Sequence, residues 1–320
     1  MLQTAQMHTT RSICVLAGGV GAARFVDGLV QVHDPRDIAV IVNVGDDFEH
    51  LSLTISPDLD TLLYMLGGIV HPEQGWGRAG DSTTALEAAT QLGGENWFLL
   101  GDKDIGLHLV RTSKLRSGSA LSQVTADFTR QLGITTSLLP ATDDRLRTVV
   151  ETTSGDFDFQ TYFVRRQHRD EVEGVRYEGA EAATPAPGVI SAIEDAELVI
   201  VAPSNPFLSI APILAVPDIH RAVHGRRKST VGVSPLIGGQ AVKGPADRLM
   251  QKLAGGGSPA AIAERYEGFL THLLIDDLDR DGIAALEQRG VKAAATDILM
   301  RDRPARAHVA RAALELATTH

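Results

Sequence analysis

Five short apolar runs, each stopping in a cluster of small and polar residues, constrain this chain more than any other feature. Residues 12–17 run into Gly18-Gly19-Val20-Gly21, and residues 38–44 into Gly45-Asp46-Asp47. Residues 96–100 run into Gly101-Asp102-Lys103-Asp104, and residues 197–202 into Pro203-Ser204-Asn205-Pro206. Residues 230–233 run into Ser234-Pro235-Leu236-Ile237-Gly238-Gly239. Such runs have strand length, and helical stretches alternate with them, which predicts an α/β fold with a doubly wound, mostly parallel sheet. The run at 198–202 is apolar throughout, as expected of a strand covered on both faces. Ligands bind such sheets beyond the C-terminal strand ends, so the polar clusters share the rim where chemistry is expected.

Composition narrows the classes. The chain has 320 residues, 43% hydrophobic and 22% charged, enough to bury a large core. A formal net charge of −10 argues against a nucleic-acid partner, which needs a basic surface. No apolar run reaches the ~18 residues of a membrane helix. Residues 1–11 lack the basic start and apolar centre of a signal peptide and read as a disordered tail. The single cysteine, Cys14, excludes an internal disulfide or a cysteine-based zinc site and points to a reducing, cytoplasmic home.

Residues 43–61, NVGDDFEHLSLTISPDLDT, place Asp46, Asp47, Glu49, Asp58 and Asp60 just past the second strand. Carboxylates gathered there suit a hard cation such as Mg²⁺, which takes few protein oxygens and shares the rest with phosphates. Ser56-Pro57-Asp58 also has the form of a plain helix start. The Gly18–Gly21 turn, between a strand and a helix, offers backbone N–H groups to an anion. It is not the full dinucleotide fingerprint, because Arg24 stands at the third glycine position, and no Walker A spacing exists. The Gly75-Trp76-Gly77-Arg78 loop presents an aromatic ring and a cation. Residues 106–113 read as a helix carrying His108 and Arg111, with Lys114 beside it. Residues 147–153 and 157–165 read as an antiparallel hairpin, and 166–187 as irregular. These place an inserted smaller α+β subdomain at 115–187, splitting a core of 12–114 and 188–320. No Ser-His-Asp or Cys-His arrangement is readable. Positioning and charge neutralisation without a covalent nucleophile match phosphoryl-type transfer.

The ordered segments VLAGGVGAARFVDGL, VNVGDD, SPDLDTLLY, GWG, LGDKD, APSNP and VSPLIGGQAVKGPA resemble the 2-phospho-L-lactate transferase family of coenzyme F420 biosynthesis, including its phosphoenolpyruvate-using bacterial members. The resemblance covers about residues 12–315. It implies a Rossmann-like core with an inserted subdomain, often as a homodimer. It also implies a Mg²⁺-dependent transfer of a phospho-three-carbon-acid group from its guanosine diphosphate-activated form to the ribityl hydroxyl of the deazaflavin Fo. GMP leaves and (dehydro)coenzyme F420-0 forms. By position, Asp60 and Lys103 match residues that contact Fo, and Asp46 and Asp60 an acidic pair holding Mg²⁺. Gly18, Gly19 and Gly21 match the loop near the diphosphate, and Ser204, Asn205, Ser234 and Gly238 the nucleotide side. Asp60, Asp46 and Asp47 are then the catalytic candidates, with Asp60, Asp47 or Asp58 as base. The sequence departs from the actinobacterial pattern at Phe48-Glu49-His50 and at Ala79-Gly80-Asp81. Two other classes compete: a non-catalytic sugar-nucleotide-binding regulator resembling gluconeogenesis-factor proteins, and a nicotinamide oxidoreductase, against which Arg24 weighs. No motif distinguishes phospholactate, phosphoenolpyruvate and phosphoglycerate as the acid.

Overall fold

A computed structural model describes residues 12–226, 229–241 and 246–318. The expected tail at 1–11 and the Lys243-Gly244-Pro245 helix start lie outside them. The chain opens with β1 (Ile13–Ala17), α1 (Gly19–Val32) and β2 (Ile38–Val42). A small hairpin, β3 (Phe48–His50) and β4 (Leu53–Ile55), precedes α2 (Pro57–Leu66), α3 (Thr84–Gln91), α4 (Asp102–Arg116) and α5 (Leu121–Gln131). Then come β5 (Ser137–Pro140), β6 (Arg147–Thr152), β7 (Gly155–Asp158) and β8 (Val172–Glu178). The second half runs α6 (Val189–Asp195), β9 (Leu198–Val201), α7 (Ala211–Leu214), α8 (Pro217–His224), β10 (Thr230–Val233), β11 (Leu236–Ile237) and β12 (Gln240–Ala241). It closes with α9 (Ala246–Ala254), α10 (Pro259–Arg265), β13 (His272–Asp276), α11 (Ile283–Gln288), β14 (Lys292–Thr296) and α12 (Arg303–Leu316).

Seven parallel strands form the main sheet in the order β14-β13-β10-β9-β1-β2-β5. The chain grows one way from β1 through β2 to β5, then returns to pair β9 on the other side of β1. This is a Rossmann-like sheet, and its direction reverses between β1 and β9, where such sheets open a crevice for ligand. Leu198–Val201 is fully buried, as its unbroken apolar run requires. One face of the sheet is covered by α1 and α12, which pack closely because residue 28 is glycine: a Cβ there would stand 2.2 Å from the Arg306 carbonyl oxygen.

Three expectations change. Residues 96–100 are not a strand. Trp97 and Phe98 instead pack around the β3–β4 hairpin, Phe98 edge-on to Phe48 at 4.8 Å and Trp97 edge-on to His50 at 5.1 Å. The Gly101–Asp104 cluster therefore starts α4 rather than ending a sheet strand. Second, β7 stops at Asp158 and residues 161–165 wind into a helical turn. The second partner of β6 is β8, inside the stretch expected to be irregular, giving an antiparallel sheet β7-β6-β8. Third, β5 pairs with β2, so the boundaries 115–187 cut through the main sheet, and the separate sheet begins only at β6.

Candidate active site

A cavity of about 590 Å³ opens at the reversal point, within the usual size of small-molecule sites. Gly18, Gly19 and Gly21 form one edge. A Cβ on Gly18 would stand 2.7 Å from Asp58 Oδ2, and one on Gly21 2.4 Å from the Pro203 carbonyl oxygen. Glycine there lets the end of β1 touch the end of β9. Gly19 takes φ +75° as α1 begins, and its N–H donates to Asp58 Oδ1 at 2.7 Å. Ser204 Oγ lies 3.4 Å from the Gly18 N–H and accepts from it.

Asn43 ties the acidic loop to this edge. Its Nδ2 donates to Asp58 Oδ2 at 2.9 Å and to the Leu208 carbonyl at 3.2 Å, and its Oδ1 accepts from the Gly45 N–H at 2.8 Å. Asp46 lines the cavity, is 6% exposed, and has one oxygen, Oδ1, with no hydrogen-bond partner. Burial, then the neighbouring Asp58 carboxylate, pushes its pKa well above the ordinary value. Asp58 is raised by burial to about 6. Asp47 is raised by burial to about 7; Ser56 Oγ donates to its Oδ2 at 2.7 Å, while its Oδ1 is buried without a partner. Ser56 thus serves Asp47 and makes no side-chain cap for α2.

Asp60 stands apart from these. Arg111, on α4 and 1% exposed, donates Nη1 to Asp60 Oδ2 at 3.0 Å and Nη2 to Asp60 Oδ1. His108 Nδ1 lies 3.7 Å from the same carboxylate, and burial lowers this histidine's pKa. Both oxygens of Asp60 are therefore engaged by a permanent cation, a charge-assisted bidentate pair.

Gly18, Gly19, Gly21, Asp46, Asp60, Ser204, Asn205 and Ser234 thus line one cavity. Other expected residues sit outside its lining. Asp47 lies behind the wall against Ser56. Lys103 is exposed and donates Nζ to the carbonyls of Ala79 at 2.9 Å and Gly80 at 2.6 Å. Gly238 donates its N–H to Asp279 Oδ2 at 2.9 Å. Asn205 caps the following turn, its Oδ1 accepting from the N–H groups of Phe207 and Leu208. Asn43, Tyr64 and the Arg111 partnership with Asp60 were not foreseen from sequence. The i,i+3 spacing of His108 and Arg111 was the available signal, but nothing in it names a partner 51 residues away. Tyr64, Trp76, Phe98, Phe159 and Phe163 add an aromatic wall, with Trp76 41% exposed at the rim.

Among the described residues, no three His, Cys, Asp or Glu side chains converge as a metal cage. A cation that takes one or two carboxylates and completes its shell with ligand oxygens needs less. The orphaned Asp46 Oδ1, with Asp58 as the carboxylate that acts on it most, fits such an ion. Asp60 faces the same cavity, but Arg111 already holds both its oxygens.

The profile of a family described as 2-phospho-L-lactate transferase CofD matches residues 13–314. The chain is 42% identical over 312 residues to a phosphoenolpyruvate transferase of Kitasatospora aureofaciens, covering 95% of this chain and 97% of the relative. It is 39% identical over 307 residues to a 2-phospho-L-lactate transferase of Methanopyrus kandleri, with 95% and 97% covered. Among solved structures, protein BH3568 of Bacillus halodurans shares the fold with a TM-score of 0.63 at 16% identity, covering 95% of this chain and 99% of its own.

Proposed function

The chain belongs to the 2-phospho-L-lactate transferase CofD family, and from that premise we propose its reaction. A guanosine diphosphate-activated three-carbon acid gives its phosphoester group to the ribityl hydroxyl of Fo, GMP leaves, and (dehydro)coenzyme F420-0 forms. The observation that carries the reading is the meeting, in one cavity, of a glycine edge, a buried acidic cluster and an aromatic wall. The glycine edge suits a diphosphate, the aromatic wall a planar deazaflavin, and the acids a divalent cation between them.

In this reading the diphosphate lies along Gly18–Gly21, with Ser204, Asn205 and Ser234 on the nucleoside side. Gly238 and Lys103 act at one remove, by holding the loops at 236–239 and 79–80. Asp46, with Asp58 beside it, would hold Mg²⁺, which neutralises charge on the transferred phosphoryl group. Asp47 supports Asp46 from behind the cavity wall. Arg111 fixes the direction of the Asp60 carboxylate toward the cavity, where it accepts the proton of the attacking hydroxyl. The demand on the base is small, because phosphoryl transfer rests mostly on positioning and charge stabilisation. Among the described residues no helix is long and apolar enough to cross a membrane; the reading carries a cytoplasmic homodimer. The regulator alternative finds no support in relatives of about 40% identity that carry transferase names.

The test gives purified protein Mg²⁺, Fo and each of three guanosine diphosphate-linked acids: phospholactate, phosphoenolpyruvate and phosphoglycerate. GMP release coupled to a new deazaflavin product with at least one donor is expected. Fo that neither binds nor reacts, with no GMP from any donor, overturns the reading.

A further inference from the structure

The cavity has one unanswered positive charge among the described residues. Arg24 is the only Arg or Lys side chain among the described residues that line it. It occupies the third glycine position of the dinucleotide pattern, on the second turn of α1. Its guanidinium makes no hydrogen bond or ion pair with any described residue, and its Nε is buried without a partner. Two neighbouring arginines are paired through their terminal nitrogens, Arg111 with Asp60 and Arg306 with Asp27 at 3.0 Å, and Arg78 lies over the Tyr64 ring. Burial, then the Arg306 charge, works against the Arg24 charge, a cost that an incoming anion would offset.

The loop at 71–78 is built to hold that guanidinium. Gly75 takes φ +74°, and a Cβ there would stand 3.0 Å from Arg24 Nη2 and 3.2 Å from Val20 Cγ1. The loop closes on itself through the His71 N–H to the Gly77 carbonyl at 2.9 Å and the Gly75 N–H to the His71 carbonyl at 3.0 Å. Its glycine backbone lies against one flank of Arg24 and its Trp76 ring reaches the cavity rim.

Resting on the function proposed above, we propose that Arg24 recognises the carboxylate of the transferred three-carbon acid. The glycine edge and the acidic cluster already account for the diphosphate. Arg24 stands about 7.5 Å further along α1 than Gly19, beside the Trp76 loop. A planar guanidinium fork matches a carboxylate in two parallel hydrogen bonds. All three candidate acids carry that carboxylate, so Arg24 would select acids over neutral analogues and not one acid over another.

The experiment measures kcat/KM for a guanosine diphosphate-linked acid and for its carboxamide, together with GDP affinity, in wild type, Arg24→Gln and Arg24→Lys. Wild type should prefer the acid by about 10- to 100-fold, the usual worth of a charge-assisted hydrogen bond. Arg24→Gln should bring acid and amide within about threefold of each other, with GDP affinity unchanged. Arg24→Lys should keep part of the preference, having charge without the fork. Retained preference in Arg24→Gln overturns the assignment, and so does a parallel loss of GDP affinity, which would make Arg24 a phosphate contact. Should Arg24→Gln not fold, an Arg24→Lys protein with wild-type kcat/KM and preference overturns it equally. A wild type that releases no GMP from either donor overturns the underlying function, and the carboxylate assignment falls with it.

Discussion

Asp60 and Asp46 line the same cavity, and the fold treats them in opposite ways. Asp60 is clamped by a fully buried arginine brought in by α4, with His108 beside it. Asp46, Asp47 and Asp58 are equally buried but have no arginine or lysine bonded to them among the described residues; they rely on Asn43, Ser56 and backbone N–H groups. Two of the acids keep an oxygen with no partner among the described residues. A buried ion pair is costly to break, whereas a buried unpaired acid is already a cost to the folded chain. The first arrangement serves geometry. The second is an arrangement waiting for positive charge, and that difference separates a carboxylate held in one direction from one free to take a cation.

The comparison is sharpest at Asp46. Asp46→Asn should lower turnover by about a thousandfold or more, the several kcal/mol a cation contributes to phosphoryl transfer. The same change should raise the melting temperature of the ligand-free protein, since it replaces a group that burial and Asp58 make costly to ionise. A lower melting temperature would mean that Asp46 is structural after all. Arg111→Met should act the opposite way. It leaves Asp60 buried and unpaired and should cost about 3–5 kcal/mol in a denaturant titration, whereas Arg111→Met with Asp60→Leu should recover most of that loss. If the double variant is no better than the single one, the pair is not what holds α2 to α4.

Acidity tests the unpaired group as a whole. Asp47 and Asp58 titrate at about 7 and about 6 in the folded chain, above the ordinary value of 3.8. Protonation therefore favours folding. This contribution is complete below the ordinary value and is lost as pH rises through about 6 and then about 7. Ligand-free protein should melt at falling temperature between about pH 5 and 8, added Mg²⁺ should restore stability at the upper end, and Asp47→Asn should flatten the slope. A melting temperature that rises over that interval would show these acids to be ionised and stabilised in the fold. Lys103→Ala should be the mildest change, at most about 1 kcal/mol of stability for an exposed group bonded to two carbonyls. A rise in KM for Fo beyond tenfold would instead bring Lys103 into direct contact with the acceptor.

The sheet and its rim were legible from sequence because β1, β2, β9 and β10 each announce themselves twice, by an apolar run and by the turn chemistry that ends it. The run at 96–100 carried the same signature and misled. Trp97 and Phe98 spend their apolar surface on Phe48 and His50 of a satellite hairpin, and periodicity does not specify which neighbour a side chain finds. β5, with four residues, was assigned with 115–187 to the inserted subdomain, because its place beside β2 is a matter of long-range pairing. The acids at 46, 47, 58 and 60 were visible as a group. Their division was not, because it depends on Arg111 arriving from a different helix.

The backbone contact between Gly28 and Arg306 joins the first helix of the fold to the last. The pocket floor is thus laid down at the start of synthesis, but the helix that braces it emerges some 280 residues later, with the 298–300 segment that also borders the cavity. A ribosome-bound chain lacking α12 would expose the apolar flank of α1 and own only part of a binding site. Premature stops anywhere before that helix should therefore leave aggregation-prone fragments rather than a weakened catalyst.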